Sequence, residues 1–146
     1  YKKITIETVN LITKFLEGFA HGNYNFTKQN NSNATYGCKR IPEDGRICWD
    51  KSAKEVYNLI RGLAYPYPGA YVFFNNALYR IRKAELGELN GNFYVGNIPG
   101  RIIKISEKGV EVLCRKGSIL LTQWESKEKN IIENPSKIIK LYSTTL

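Results

Sequence analysis

The sequence predicts an α+β fold: a small OB-like β-barrel with one packed helix, preceded by a separate N-terminal helix and a linker. Three observations predict it. Apolar residues recur at spacings of three and four over residues 5–21, and again over residues 52–64. From residue 70 onward the period is two, with turn-forming pairs between the alternating runs. Five or six short strands within about 75 residues leave edges, and closure into a small barrel removes them.

The first helix is read from Ile4, Val9, Leu11, Ile12, Phe15, Leu16 and Phe19, with Thr5 or Thr8 as its cap and Gly22 as its stop. Residues 22–37 are rich in Asn, Ser and Gly, which favour turns and bury little, so they are expected to be a linker. A domain boundary is expected there, with the helix belonging to whatever precedes residue 1.

Arg46-Ile47-Cys48-Trp49 reads as a short extended run. Ser52 and Glu55 have the spacing of a capping box, which opens a second helix with Val56, Leu59, Ile60 and Leu63 as its buried stripe. Gly62 weakens this helix and Pro66 ends it. Pro66-Tyr67-Pro68-Gly69-Ala70 makes a stiff path into the first strand. Strands are expected at 70–75, 77–84, 92–95, 100–106, 109–114 and 117–124, with turns at Asn75-Asn76, Asn90-Gly91, Lys108-Gly109 and Lys116-Gly117. The tail from Pro135 to Tyr142 is expected to form a short helix.

The 146 residues suit one ordinary domain or a small domain with an appendage, and 42% apolar with 24% charged content argues against global disorder. No window approaches the ~18 apolar residues of a membrane-spanning helix. The N-terminus lacks the apolar core of a secretory signal, and there is no methionine, so the chain is expected to be processed or cut from something longer. Cys38, Cys48 and Cys114 are few, odd in number and far apart, which suits reduced cytoplasmic thiols and, with His21 as the lone histidine, no metal site. The sequons at Asn25 and Asn33 are read as chance.

A net charge of +9, from 22 Lys and Arg against 13 Asp and Glu, points to a polyanionic partner or a phosphorylated substrate, or to a solvated basic surface. Standard catalytic and nucleotide-binding motifs are absent. His21 has no nucleophile near it in sequence and suits the end of a helix. Glu43 and Asp44 sit in Pro42-Glu43-Asp44-Gly45, which has turn chemistry. The many aromatics suit a core first and base stacking second.

Ala34-Thr35-Tyr36, Lys39-Arg40, Pro42-Glu43-Asp44-Gly45-Arg46-Ile47 and Trp49 resemble the domain junction of the 10-formyltetrahydrofolate-dependent formyltransferases. Ser52-Ala53, Val56-Tyr57-Asn58-Leu59-Ile60-Arg61 and Pro66-Tyr67-Pro68-Gly69-Ala70 follow in the family's order. Gly100-Arg101-Ile102-Ile103, Gly109-Val110-Glu111-Val112 and Cys114 fit its last strands. The likeness is close over residues 34–125 and loose over 1–33.

The resemblance implies a division of the chain. Residues 1–21 would be the last helix of an absent N-terminal Rossmann-like catalytic domain, 22–37 the linker, and 38–146 the C-terminal OB-like barrel. In the family, the catalytic domain binds the folate and carries an Asn, a His and an Asp. No residue here matches that set, so no catalytic or cofactor-binding residue is assigned. The chain alone should bind no 10-formyltetrahydrofolate and transfer no formyl group.

Two acceptor classes divide the family, methionyl-tRNA and nucleotide-linked amino sugars. Lys39-Arg40-Ile41-Pro42-Glu43-Asp44 and Tyr65-Pro66-Tyr67-Pro68 look more like the sugar enzymes, which makes Lys39 and Arg40 the candidate substrate-binding residues. The charge favours tRNA, for which Arg80, Arg82, Lys83, Arg101, Lys104, Arg115 and Lys116 are the candidate contacts. A free-standing OB-type nucleic-acid-binding module is a third reading. Other expected partners are the catalytic domain and, through helix 5–21, a second copy of the chain.

Overall fold

A computed structural model describes residues 2–88, 94, 96, 98–128, 130–140 and 145–146. The chain divides into two compact units, Tyr1–Cys38 and Lys39–Leu146.

The first unit is built on helix α1, Lys2–Ala20. It begins earlier than predicted, so Thr5 and Thr8 lie inside it rather than at its N-terminus. Its end is as the glycine requires: Gly22 takes φ +72°, and the Gly22 and Asn23 amides donate to Phe19 O at 3.0 Å and Gly18 O at 2.8 Å. Beyond this cap the chain extends an aromatic row, with Tyr24 stacked on Phe19 at 4.9 Å and Phe26 5.3 Å from Tyr24. A single 3-10 turn, Asn31–Asn33, is capped by the Asn30 side chain. The apolar face of α1 is not buried: Val9, Ile12, Phe15, Leu16 and Phe19 are 48–58% exposed.

The second unit opens with a 3-10 turn, Pro42–Gly45, followed by helix α2, Ala53–Gly62. The capping box forms as the spacing predicts. Glu55 N donates to Ser52 Oγ at 3.3 Å, and Ser52 N and Oγ donate to Glu55 Oε2 at 2.9 and 2.7 Å. Five strands follow, β1 Ala70–Phe74, β2 Ala77–Leu86, β3 Ile102–Ser106, β4 Gly109–Leu113 and β5 Ser118–Ser126, all paired antiparallel in the order β1-β2-β5-β4-β3. A short β6, Ile132–Glu133, adds to β5 and was not foreseen, because two paired residues carry no period.

The turns match their chemistry. Asn75 and Asn76 both have positive φ, 49° and 62°, as a two-residue hairpin turn of the primed type requires. Glu107-Lys108, rather than Lys108-Gly109, turns β3 into β4, with Ser106 opposite Gly109. Of the expected strand at 92–95, only Tyr94 lies within the described residues, and it is not in a strand. The expected helix from Pro135 to Tyr142 is a 3-10 turn, Pro135–Lys137, as far as it is described.

Helix α2 packs on β2 and β5. Its Val56 and Ile60 are buried with Ile47, Ile81, Ile119 and Leu121, while Leu59 and Leu63 are only half-buried, at the rim of the stripe. Trp124 is fully buried, with Tyr79 stacked on it at 4.1 Å and Phe74 at 6.0 Å. Each such large side chain contributes about 1.5–3 kcal/mol of burial. Strand β4 lies between β3 and β5 and is buried throughout, including Glu111.

Candidate functional site

The Pro42–Gly45 turn is closed by its own carboxylate, Asp44 Oδ2 accepting from Ile41 N at 2.9 Å. It is docked to the sheet by the Ile47 amide, which donates to Tyr71 O at 2.9 Å. Facing it, Pro66–Gly69 crosses from α2 to β1, with Gly69 at φ +100°. Arg82 holds this crossing from below. Its Nε donates to Glu125 Oε2 at 2.6 Å, its Nη2 pairs with the same carboxylate, and its Nη1 reaches Pro68 O at 3.5 Å.

Between turn and crossing runs a mostly apolar groove of about 260 Å³, walled by Ile41, Pro42, Leu63, Tyr67 and Pro68, with Arg40 and Asp44 as its charged lining. A second hollow of about 530 Å³ shares Arg40, Leu63 and Tyr67 and adds Asn58 and Glu55. The half-exposure of Leu59 and Leu63 follows from their place on these walls. Glu55 is committed to the helix cap: its hydrogen bonds from the Ser52 hydroxyl and amide hold its carboxyl below the usual carboxylate range.

Arg40 therefore lines the groove, and Lys39 is exposed beside it in the chain. The seven basic candidates do not gather on one face. Arg82 is tied to Glu125. Arg80 stands opposite Glu125 on the outer side of β2. Lys83 is exposed at a bulge in the same strand. Lys104 is opposite Glu111 in a polar hollow with Glu85 and Lys108. Arg101 lies at the start of β3 with its Nε buried and unpartnered. Arg115 and Lys116 form the β4–β5 turn beside Trp49 and Ser52, their backbone engaged by the Trp49 carbonyl and the Ala53 amide.

His21 donates from Nδ1 to the Glu17 carbonyl at 2.7 Å, satisfying the end of α1. Among the described residues no three His, Cys, Asp or Glu side chains are placed to hold a metal. Cys114 is fully buried, and burial pushes its thiol up to about 12, so it is no nucleophile at neutral pH. None of the described helices is long and apolar enough to cross a membrane. The sequence reading missed the groove as a cavity. Its walls come from three separate segments, and the only sequence signal was the rigidity of Pro66–Gly69.

Comparison with known proteins agrees with this architecture. The family described as formyl transferase, C-terminal domain, matches residues 39–140. Methionyl-tRNA formyltransferase of Clostridium beijerinckii is 33% identical over 119 residues, 81% of this chain and 36% of that protein. The bifunctional polymyxin resistance protein ArnA of Wigglesworthia glossinidia brevipalpis is 30% identical over 143 residues, 94% of this chain and 21% of that protein. The crystal structure of HypX from Aquifex aeolicus in complex with tetrahydrofolic acid superposes with a TM-score of 0.62 at 19% identity, over 90% of this chain and 22% of that one. The chain thus spans between about a fifth and a little over a third of the curated relatives it matches, and by the C-terminal domain it carries it belongs to the formyltransferase family.

Proposed function

We propose that the chain is the non-catalytic C-terminal part of a formyltransferase that transfers a formyl group from 10-formyltetrahydrofolate to the amine of a nucleotide-linked amino sugar. The observation that carries the acceptor is the groove beside Arg40. It is a concave, largely apolar cleft whose charged lining is Arg40 and Asp44, the Asp44 carboxylate being held by the Ile41 amide, and it suits a small phosphorylated substrate. The basic surface supports a polynucleotide less well. Arg82 is spent on Glu125, and Lys104 faces Glu111. Lys39 and Arg40 would reach the acceptor's phosphates from the edge of the catalytic cleft.

This reading assigns the folate to no residue of the chain. The groove offers no Asn/His/Asp set, and His21 belongs to the other unit, bonded to its own helix. The proposal therefore places folate and chemistry on a preceding Rossmann-like domain in a cytoplasmic enzyme. That domain, or a second copy of the chain, would cover the apolar face of α1.

The second reading is a tRNA-binding domain. It is favoured by the charge of +9 and by relatives named methionyl-tRNA formyltransferase. A salt series separates the two. Each phosphate neutralised makes log affinity fall with log salt by roughly 0.7–0.9. The sugar reading expects tRNA binding to this chain to be feeble and lost near ~150 mM salt. Micromolar binding there, with a slope of about −2 to −4, would establish the tRNA reading instead.

A further inference from the structure

On the outer side of the sheet edge, three residues from separate segments stand in one row. Arg46 bridges Tyr71 in parallel register, and Tyr71 is paired with Arg80 across β1 and β2. Side chains so related share a face and lie within contact of one another. A tyrosine is thus flanked by two arginines. Phe73 is next on the same face, 5.7 Å from Tyr71 with the rings perpendicular, and the Arg46 guanidinium lies 5.7 Å over its centre. Phe73 is 46% exposed.

Internal contacts account for only part of this grouping: Arg46 lies over Phe73, and Arg80 stands opposite Glu125. Neither Arg46 nor Arg80 makes an ion pair among the described residues. The nearby carboxylate, Glu125, has its Oε2 taken by Arg82. Two guanidinium groups without an ion pair, on one face beside an exposed aromatic, are free to bind an anion. The row also continues the groove. Gly45 separates the two, and a Cβ placed there would touch Leu63 of the groove wall and Tyr71 of the row, each at 3.5 Å.

We propose that Arg46, Tyr71, Phe73 and Arg80 form a binding site for a nucleoside diphosphate. The base packs against the exposed Phe73 ring, and Arg46 and Arg80, on either side of Tyr71, pair with the diphosphate. The inference rests on the acceptor reading above for the source of the ligand, the nucleotide half of the sugar nucleotide. It assigns that half to the sheet edge, leaving the groove at Arg40 for the remainder.

Calorimetric titration of the 146-residue chain with UDP, uridine, inorganic pyrophosphate and a short oligouridylate tests it. UDP is expected to bind at least tenfold more tightly than uridine or pyrophosphate. Arg46→Ala, Arg80→Ala and Phe73→Ala should each weaken it about tenfold, with thermal melts reporting that the variants fold. Phe73→Tyr should keep the affinity, and Arg46→Lys, which loses the planar fork, should lower it.

No binding of UDP at millimolar concentration overturns the proposal. So does pyrophosphate binding as well as UDP with Phe73→Ala indifferent, which is charge alone. Oligouridylate binding a hundredfold more tightly than UDP also overturns it, in favour of a polynucleotide surface. The two readings fail separately. If the whole enzyme formylates a sugar nucleotide but Phe73→Ala leaves its KM unchanged, only the site is wrong. If this chain binds UDP as described but the whole enzyme formylates no sugar nucleotide, only the acceptor is wrong.

Discussion

Ser118 donates its hydroxyl to the Glu111 carboxylate at 2.5 Å across the β4–β5 turn, and both side chains are buried. This bond lets a charged residue lie in the middle of a buried strand. Gly87 closes over it, its amide donating to Ser118 O at 2.9 Å, and a Cβ at position 87 would overlap both the Ser118 hydroxyl and the Glu111 carboxylate.

Two substitutions test this arrangement. Ser118→Ala leaves Glu111 without its donor and is expected to cost about 1–3 kcal/mol. Gly87→Ala forces the strand end apart, at about 1–3 kcal/mol. Urea denaturation should show both losses as a lower midpoint at unchanged slope. A neutral Gly87→Ala would mean the strand end relaxes freely.

The α2 cap is tested by Ser52→Ala, expected to cost about 0.5–2 kcal/mol. Acid adds a second test. The Glu55 carboxyl titrates lower in the folded state, chiefly because of the Ser52 hydroxyl. Its contribution is therefore present above the unfolded carboxylate range and is lost as pH falls through the folded value. The stability gap between the native chain and Glu55→Gln should be open at pH 7, begin to narrow through the ordinary glutamate range of about 4.3, and close only below the folded value. A gap that persists in acid would contradict this.

Cysteine labelling checks the core. Cys38 and Cys48 are exposed and should react with a thiol reagent at pH 8 within minutes. Cys114, buried and pushed up to about 12, should react only on unfolding. Mass spectrometry reads this as two adducts under native conditions and three in denaturant. Three native adducts would mean the end of β4, next to Cys114, opens readily.

Much of the fold was legible because it rests on local chemistry. Ser52 and Glu55 announced α2 by spacing, Asn75-Asn76 announced a turn by its tolerance of positive φ, and Val110 and Val112 announced a strand by alternation. What the sequence hid was set by pairing between distant segments. β6 exists only because β5 offers it an edge. Lys104 is opposite Glu111 only because a bulge follows Ile102. The same holds for function. Arg40 was legible through its motif, whereas the groove it borders and the Arg46–Tyr71–Arg80 row appear only once three segments are brought together. The scatter of the basic residues was invisible for the same reason, since charge counts carry no register.

The packing of α2 gives a larger effect. Val56 is 2% exposed and faces β2 and β5. Val56→Ala should open a cavity and cost about 1–3 kcal/mol, whereas Lys54→Ala on the exposed side should stay within ~0.5 kcal/mol. Equal effects would place the helix wrongly on the sheet.

The central claim is tested most directly by formyl transfer. The whole enzyme, with the catalytic part proposed to precede this chain, is supplied with 10-formyltetrahydrofolate and, in parallel, a nucleotide-linked 4-amino sugar or methionyl-tRNA. The product is read by mass. The account predicts a formylated sugar nucleotide, at least a hundredfold less formylation of methionyl-tRNA, and no turnover by the 146-residue chain alone. Efficient formylation of methionyl-tRNA with the sugar untouched would contradict it.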